Sequence, residues 1–85
     1  VLPRLVAAMA DADPWVRYYA ARVAGQIELA GAVPALVRLA IDDGVPPVRI
    51  AAIDALHLIG DGEAIAALRP LADDPDPMIA RPALA

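Results

Sequence analysis

Seven of the eleven acidic residues fall in three short stretches: Asp11 with Asp13, Asp42 with Asp43, and Asp73, Asp74 with Asp76. Clustered carboxylates are what calcium or magnesium selects, since those ions take several oxygen ligands. An aspartate standing before a proline is equally the start of a helix, its carboxylate capping the first free amides while proline fills the first helical position. Arginines nearby can neutralise the remaining charge. The capping reading is preferred, and no metal or other cofactor is expected.

His57 is the single histidine. Asp54 stands one helical turn before it and Glu63 follows shortly after, an arrangement in which a carboxylate could orient a general base. The chain has no Ser, Thr or Cys to act as nucleophile, so His57 is read as a surface or helix-end residue and no catalytic residue is nominated. Trp15, Tyr18 and Tyr19 could stack on a nucleobase or a tetrapyrrole, but filling the gaps between small residues is the preferred role. Arg4, Arg38 and Arg69 are the candidate binding residues. A guanidinium can grip a carboxylate with two parallel hydrogen bonds, so these three point to an acidic segment of a protein partner.

The elements that must carry these groups follow from an internal repeat. Sliding the chain by 32 residues places Val16 and Arg17 on Val48 and Arg49, Ala20 on Ala52, Ile27 on Ile59, Leu36 on Leu68 and Leu39 on Leu71. On either side the offset is 31, pairing Leu5 with Leu36 and Val48 with Ile79, so the middle turn carries one extra residue. Apolar residues recur at three-and-four spacing between the turns. This predicts helices over about 1–10, 14–28, 32–41, 47–59, 63–72 and 77–85 in one repeat segment spanning 1–85. Trp15, Val16, Tyr19, Val23 and Ile27 cover more than one face of the second helix, which is therefore expected to pack on two sides. Gly25 inside it marks a close contact or a fraying end, Pro70 a kink, and Pro82 a frayed end.

Composition sets further bounds. Alanine supplies 21 of the 85 residues and only three are aromatic, so the helices should approach closely. Seven arginines and no lysine against eleven acids leave a net charge of -4, which disfavours nucleic acid as a partner. The longest uncharged run, Leu29 to Val37, is about half of a membrane span, so no membrane role is expected. Without cysteine there are no disulfides to fix the compartment, and the cytoplasm is the expectation. An end in mid-repeat suggests part of a longer array, whose uncovered faces could associate end to end.

Asp13, Pro14, Val16, Arg17, Ala20 and Ile27 in one copy, with Pro46, Val48, Arg49, Ala52, Ile59, Gly60, Ala64 and Leu68 in the next, resemble the HEAT-like repeats of the phycobilisome-lyase type. The resemblance implies an all-α right-handed α-solenoid of antiparallel helix pairs, between two and three repeats long. It implies a ladder in which turn aspartates meet first-helix arginines, drawn from Asp13, Asp42 or Asp43, Asp74, Arg17 and Arg49. Ala80 stands where a third arginine would be. It also implies that second helices line the concave surface, which places Arg4, Arg38 and Arg69 there as a sparse basic strip. HEAT-like iron hydroxylases that modify a lysine share the fold, but their ligands are His-Glu dipeptides, and this chain has none. The leading expectation is thus a non-enzymatic protein-interaction scaffold. The alternative is a bilin-lyase-like or chaperone-like subunit acting on a chromophore-bearing protein, which bound colour would distinguish.

Overall fold

A computed structural model of the chain describes residues 2–84. Six helices follow one another: α1 (Leu2–Ala8), α2 (Pro14–Gln26), α3 (Val33–Asp42), α4 (Pro46–Ile59), α5 (Gly62–Leu71) and α6 (Pro77–Leu84), with a 3-10 turn at Ala30–Ala32 leading into α3. Local chemistry starts them. Asp13 accepts from the Trp15 amide at 2.9 Å with Pro14 in the first helical position, and Asp76 and Pro77 repeat the device through the Met78 amide at 2.9 Å. Asp61 caps α5 through the Ala64 amide at 2.8 Å. At α4 the capping position is Val45, which has no side-chain oxygen, and the helix begins at Pro46 rather than at Pro47.

The helix ends repeat as well. At the end of α2 the Leu29 amide donates to the Ala24 carbonyl and the Glu28 amide to the Gly25 carbonyl, the paired bonds of a left-handed helix stop. The residue in the left-handed position is Glu28, at φ 51°. One repeat later that position holds Gly60, at φ 65°, which has no Cβ to strain.

The helices pair antiparallel into an α-solenoid, with α2, α4 and α6 in one layer and α1, α3 and α5 in the other. Helix α4 sits at the centre and packs on α2, α3, α5 and α6. The Cα envelope measures 32 × 26 × 16 Å. Its thin dimension is what two layers produce, about 10 Å between axes plus about 2.3 Å of Cα radius on each side. Leu36, Ile53, Leu56, Ile79, Val33 and Val48 are the largest fully buried side chains.

Gly25 sets the separation of α2 and α4. A Cβ built on it would lie 2.8 Å from the Cα and 2.9 Å from the Cβ of Ala55. The buried face of α2 accordingly consists of Ala20, Ala21, Ala24 and Gly25. The expectation that α2 packs on two sides fails among the described residues: Trp15, Val16, Tyr19, Val23 and Ile27 are exposed, and only Tyr18 of the aromatics is half-buried. Small side chains form this contact because only they let two helix backbones come so close.

Three further expectations change. The extra residue of the middle repeat lies in the last turn of α3, not in the turn after it. Leu5 to Asp11 and Leu68 to Asp74 are six residues, whereas Leu36 to Asp43 is seven, and α3 runs on to Asp42. Pro70 stands one residue from the end of α5, where the helix is already stopping. Pro82 lies inside α6, which nevertheless continues to Leu84. A proline there forfeits one amide donor, while Ile79 and Ala83 on either side of it are buried against the stack.

Gly25→Ala should destabilise the fold by about 1–3 kcal/mol, because overpacking against a backbone atom outweighs the roughly 1 kcal/mol gained in helix propensity. Glu28→Gly should act oppositely, stabilising by up to about 1 kcal/mol by relieving the left-handed strain. Urea unfolding followed by circular dichroism checks both signs.

Candidate functional site

The three acidic turns hold one construction. Asp11 accepts from the Asp13 amide at 2.8 Å, Asp43 from the Val45 amide at 2.9 Å and Asp74 from the Asp76 amide at 2.9 Å. Each carboxylate is thus tied to the backbone two residues on, a local bond available to aspartate in turns. Into two of these turns a first-helix arginine reaches from the preceding repeat. Arg17 pairs with Asp43 at 2.7 Å and Arg49 with Asp74 at 3.2 Å. The same guanidiniums anchor the backbone: Arg17 donates to the carbonyls of Asp11 and Ala12, and Arg49 to that of Ala40.

Electrostatics follow this geometry. The Arg17 guanidinium is held above its ordinary value, chiefly by its hydrogen bond to Asp43. The Asp74 carboxyl is held below the ordinary aspartate value, first by the Asp76 amide and then by Arg49. The structure does not bring Asp13 and Asp42 into these pairs. Asp13 is occupied as the cap of α2, and Asp42, in the last turn of α3, is exposed with no side-chain hydrogen bond among the described residues. Asp11 was missed as the equivalent of Asp43 and Asp74. Its signal was the repeated Asp-x-Asp-Pro spacing at Asp11–Pro14 and Asp74–Pro77.

Arg4, Arg38 and Arg69 are all exposed, on α1, α3 and α5, and none pairs with an acid among the described residues. They do not stack in a column. Aligned on the repeat, Arg4 takes the position of Ala35, Arg69 that of Val37, and Arg38 that of Ala7 and Pro70. At about 100° per residue they span an arc of about 160° on the second-helix layer.

His57 is half-buried, and its Nε2 lies 2.7 Å from the Pro82 carbonyl, a separation at which the imidazole N–H donates across from α4 to α6. Neither Asp54 nor Glu63 bonds it among the described residues, and no group of three His, Cys, Asp or Glu side chains there could hold a metal ion. On the outer side of the first-helix layer an open groove of about 480 Å³ runs between α2 and α4, with Tyr18, Arg22 and Gln26 on one wall and Ile50, Asp54 and Leu58 on the other. Arg22 donates to the Tyr18 hydroxyl at 3.1 Å and lies 5.7 Å from its ring centre, which ties that cation down and raises its pKa.

These tightly packed helix pairs, with arginine reaching from one repeat to the aspartate turn of the next, define a class, the helical repeat proteins. The model of the HEAT repeats matches residues 2–85, and the chain belongs to that family. Among solved structures it is similar to human deoxyhypusine hydroxylase in complex with glycerol, with a TM-score of 0.89 and 27% sequence identity. That match covers 94% of this chain and 28% of the hydroxylase chain. No curated protein sequence matches. Among the described residues, no helix is long and apolar enough to cross a membrane.

Asp43→Ala should lower stability by about 1–3 kcal/mol, since it leaves the Val45 amide and the Arg17 guanidinium without their acceptor. Asp42→Ala, one residue away, should stay within about 0.5 kcal/mol of the parent. Parallel thermal melts of the two variants check the contrast.

Proposed function

We propose that the chain is a non-enzymatic protein-interaction scaffold whose second-helix layer binds an acidic segment of a partner. The observation that carries this reading is how the arginines are sorted. On the first helices Arg17, Arg49 and Arg22 are engaged with Asp43, Asp74 and Tyr18. On the second helices all three, Arg4, Arg38 and Arg69, stand exposed and unpaired among the described residues, as only Arg81 of α6 does on the first helices. In a chain of net charge -4, with most acids in the turns, the second-helix layer is the surface suited to carboxylates. Because the arginines spread over an arc, an extended segment wrapping the layer fits them better than a single point contact.

The likeness to deoxyhypusine hydroxylase supports the repeat scaffold. That enzyme's hydroxylation is not part of the proposal. The chain's one histidine is engaged with the Pro82 carbonyl, and its sequence contains no His-Glu dipeptide.

An Arg38→Glu, Arg69→Glu double variant with unchanged helicity should retain at least tenfold less of a partner captured from the source lysate. The parent's capture should weaken with salt, as screening of exposed charges requires. A partner held equally by both proteins sinks the proposal.

A further inference from the structure

The outer groove between α2 and α4 is a product of the repeat. Tyr18, Arg22 and Gln26 stand at four-residue spacing along α2, and sliding by 32 residues places them on Ile50, Asp54 and Leu58, the stripe of the opposite wall. The floor includes Ala51 and Ala55, which are small and buried because α2 and α4 meet closely there, Ala55 lying against Gly25. Walls and floor thus belong to two helices that pack on each other, and the groove is complete within one inter-repeat contact. Arg22 and Asp54 occupy one repeat position on parallel helices and carry opposite charges. Axes packed in this way stand about 8–10 Å apart, and no ion pair joins the two residues among those described. The corresponding groove between α4 and α6 has no carboxylate among the described residues that line it.

We propose that the groove between α2 and α4 binds a small zwitterion with an apolar body, of the class of the free apolar α-amino acids. The ligand's ammonium meets the Asp54 carboxylate, its carboxylate meets the Arg22 guanidinium, and its side chain lies on Ala51 and Ala55 between Ile50 and Leu58. Charge complementarity selects this occupant. A purely cationic ligand would face Arg22 and a purely anionic one Asp54, a like charge in either case, whereas a ligand with both charges satisfies both walls. The Tyr18 hydroxyl takes one guanidinium N–H, which fixes the group on its wall and leaves further donors for a carboxylate. Asp54 is exposed and has no cation of its own among the described residues. The volume of about 480 Å³ lies within the roughly 300–1,000 Å³ of small-molecule sites. This site is on the first-helix layer, so it is independent of a partner held by Arg4, Arg38 and Arg69 on the other.

The test is titration of the chain with L-leucine and with L-phenylalanine, followed by two-dimensional amide NMR. N-acetyl-L-phenylalanine, which lacks the ammonium, and L-phenylalaninamide, which lacks the carboxylate, are titrated in parallel. Asp54→Asn and Arg22→Gln are treated in the same way, with circular dichroism confirming unchanged helicity. The free amino acids should give saturable shifts at the groove amides of α2 and α4. Each blocked ligand should bind at least about tenfold more weakly, as loss of a hydrogen bond between charged groups requires. Asp54→Asn should weaken L-phenylalanine to the same degree yet bind the N-acetyl compound no worse than the parent does, and Arg22→Gln should show the same relation with the amide. Absence of saturable shifts with both amino acids overturns the proposal. So does a blocked ligand that binds as well as free L-phenylalanine, which would mean an apolar groove indifferent to charge, or an Asp54→Asn variant that binds L-phenylalanine as the parent does.

Discussion

The close contact of α2 with α4 at Gly25 and Ala55 is the constraint from which the rest of the structure follows. With no room for a Cβ at Gly25, the facing surfaces must be built from alanine, and the larger apolar residues go elsewhere. Leu36, Leu56 and Ile79 are among the largest fully buried side chains. Trp15, Tyr19 and Val23 are turned to the uncovered side of α2. An alanine-rich interface gains little hydrophobic area per residue, at roughly 25 cal/mol per Å², so its strength comes from many close contacts rather than from a few large side chains.

The aspartate turns hold this packing in register. Asp43 and Asp74 each bind the backbone of their own turn and a guanidinium from the previous repeat, so the start of one first helix is positioned by the first turn of another. The extra residue in the middle repeat shows how firmly the turn is kept: α3 lengthens at its end and Asp43 stays in place. Arg17 and Arg49 are partly covered, with side chains 17% and 20% exposed, and each adds backbone carbonyls to its carboxylate. That is a stronger arrangement than an exposed ion pair, whose typical worth is below about 1 kcal/mol. The ladder engages Arg17 and Arg49, whereas Arg4, Arg38 and Arg69 of the second helices and Arg81 of α6 form no ion pair among the described residues.

What was legible in the amino acids is whatever depends on neighbours in sequence. The 32-residue offset, the Asp-Pro helix starts, Gly60 at the end of α4 and the alternation of helices are local properties, and they specify a stack of helix pairs without any knowledge of distance. Gly25 was readable only as a close contact or a fraying end, since an interior glycine lowers helix propensity either way, and the Ala55 backbone beside it decides for the contact. Pro82 shows the limit of local reasoning, since burial of Ile79 and Ala83 carries α6 past a residue that by itself argues for a break.

Tertiary structure alone decided which equivalent residue meets which environment. Val16 and Val48 are the same residue at the same repeat position, yet one is exposed and the other buried, because burial depends on whether another helix lies alongside. For the same reason Asp43 rather than Asp42 receives Arg17, Asp13 caps a helix rather than joining an ion pair, and His57 turns to the Pro82 carbonyl rather than to Asp54. The sequence by itself determined the unit and its repetition, through short-range capping, turn and periodicity rules. The order of stacking determined the rest, since ion pairs, burial and free surface all arise between residues that only the packed helices bring together.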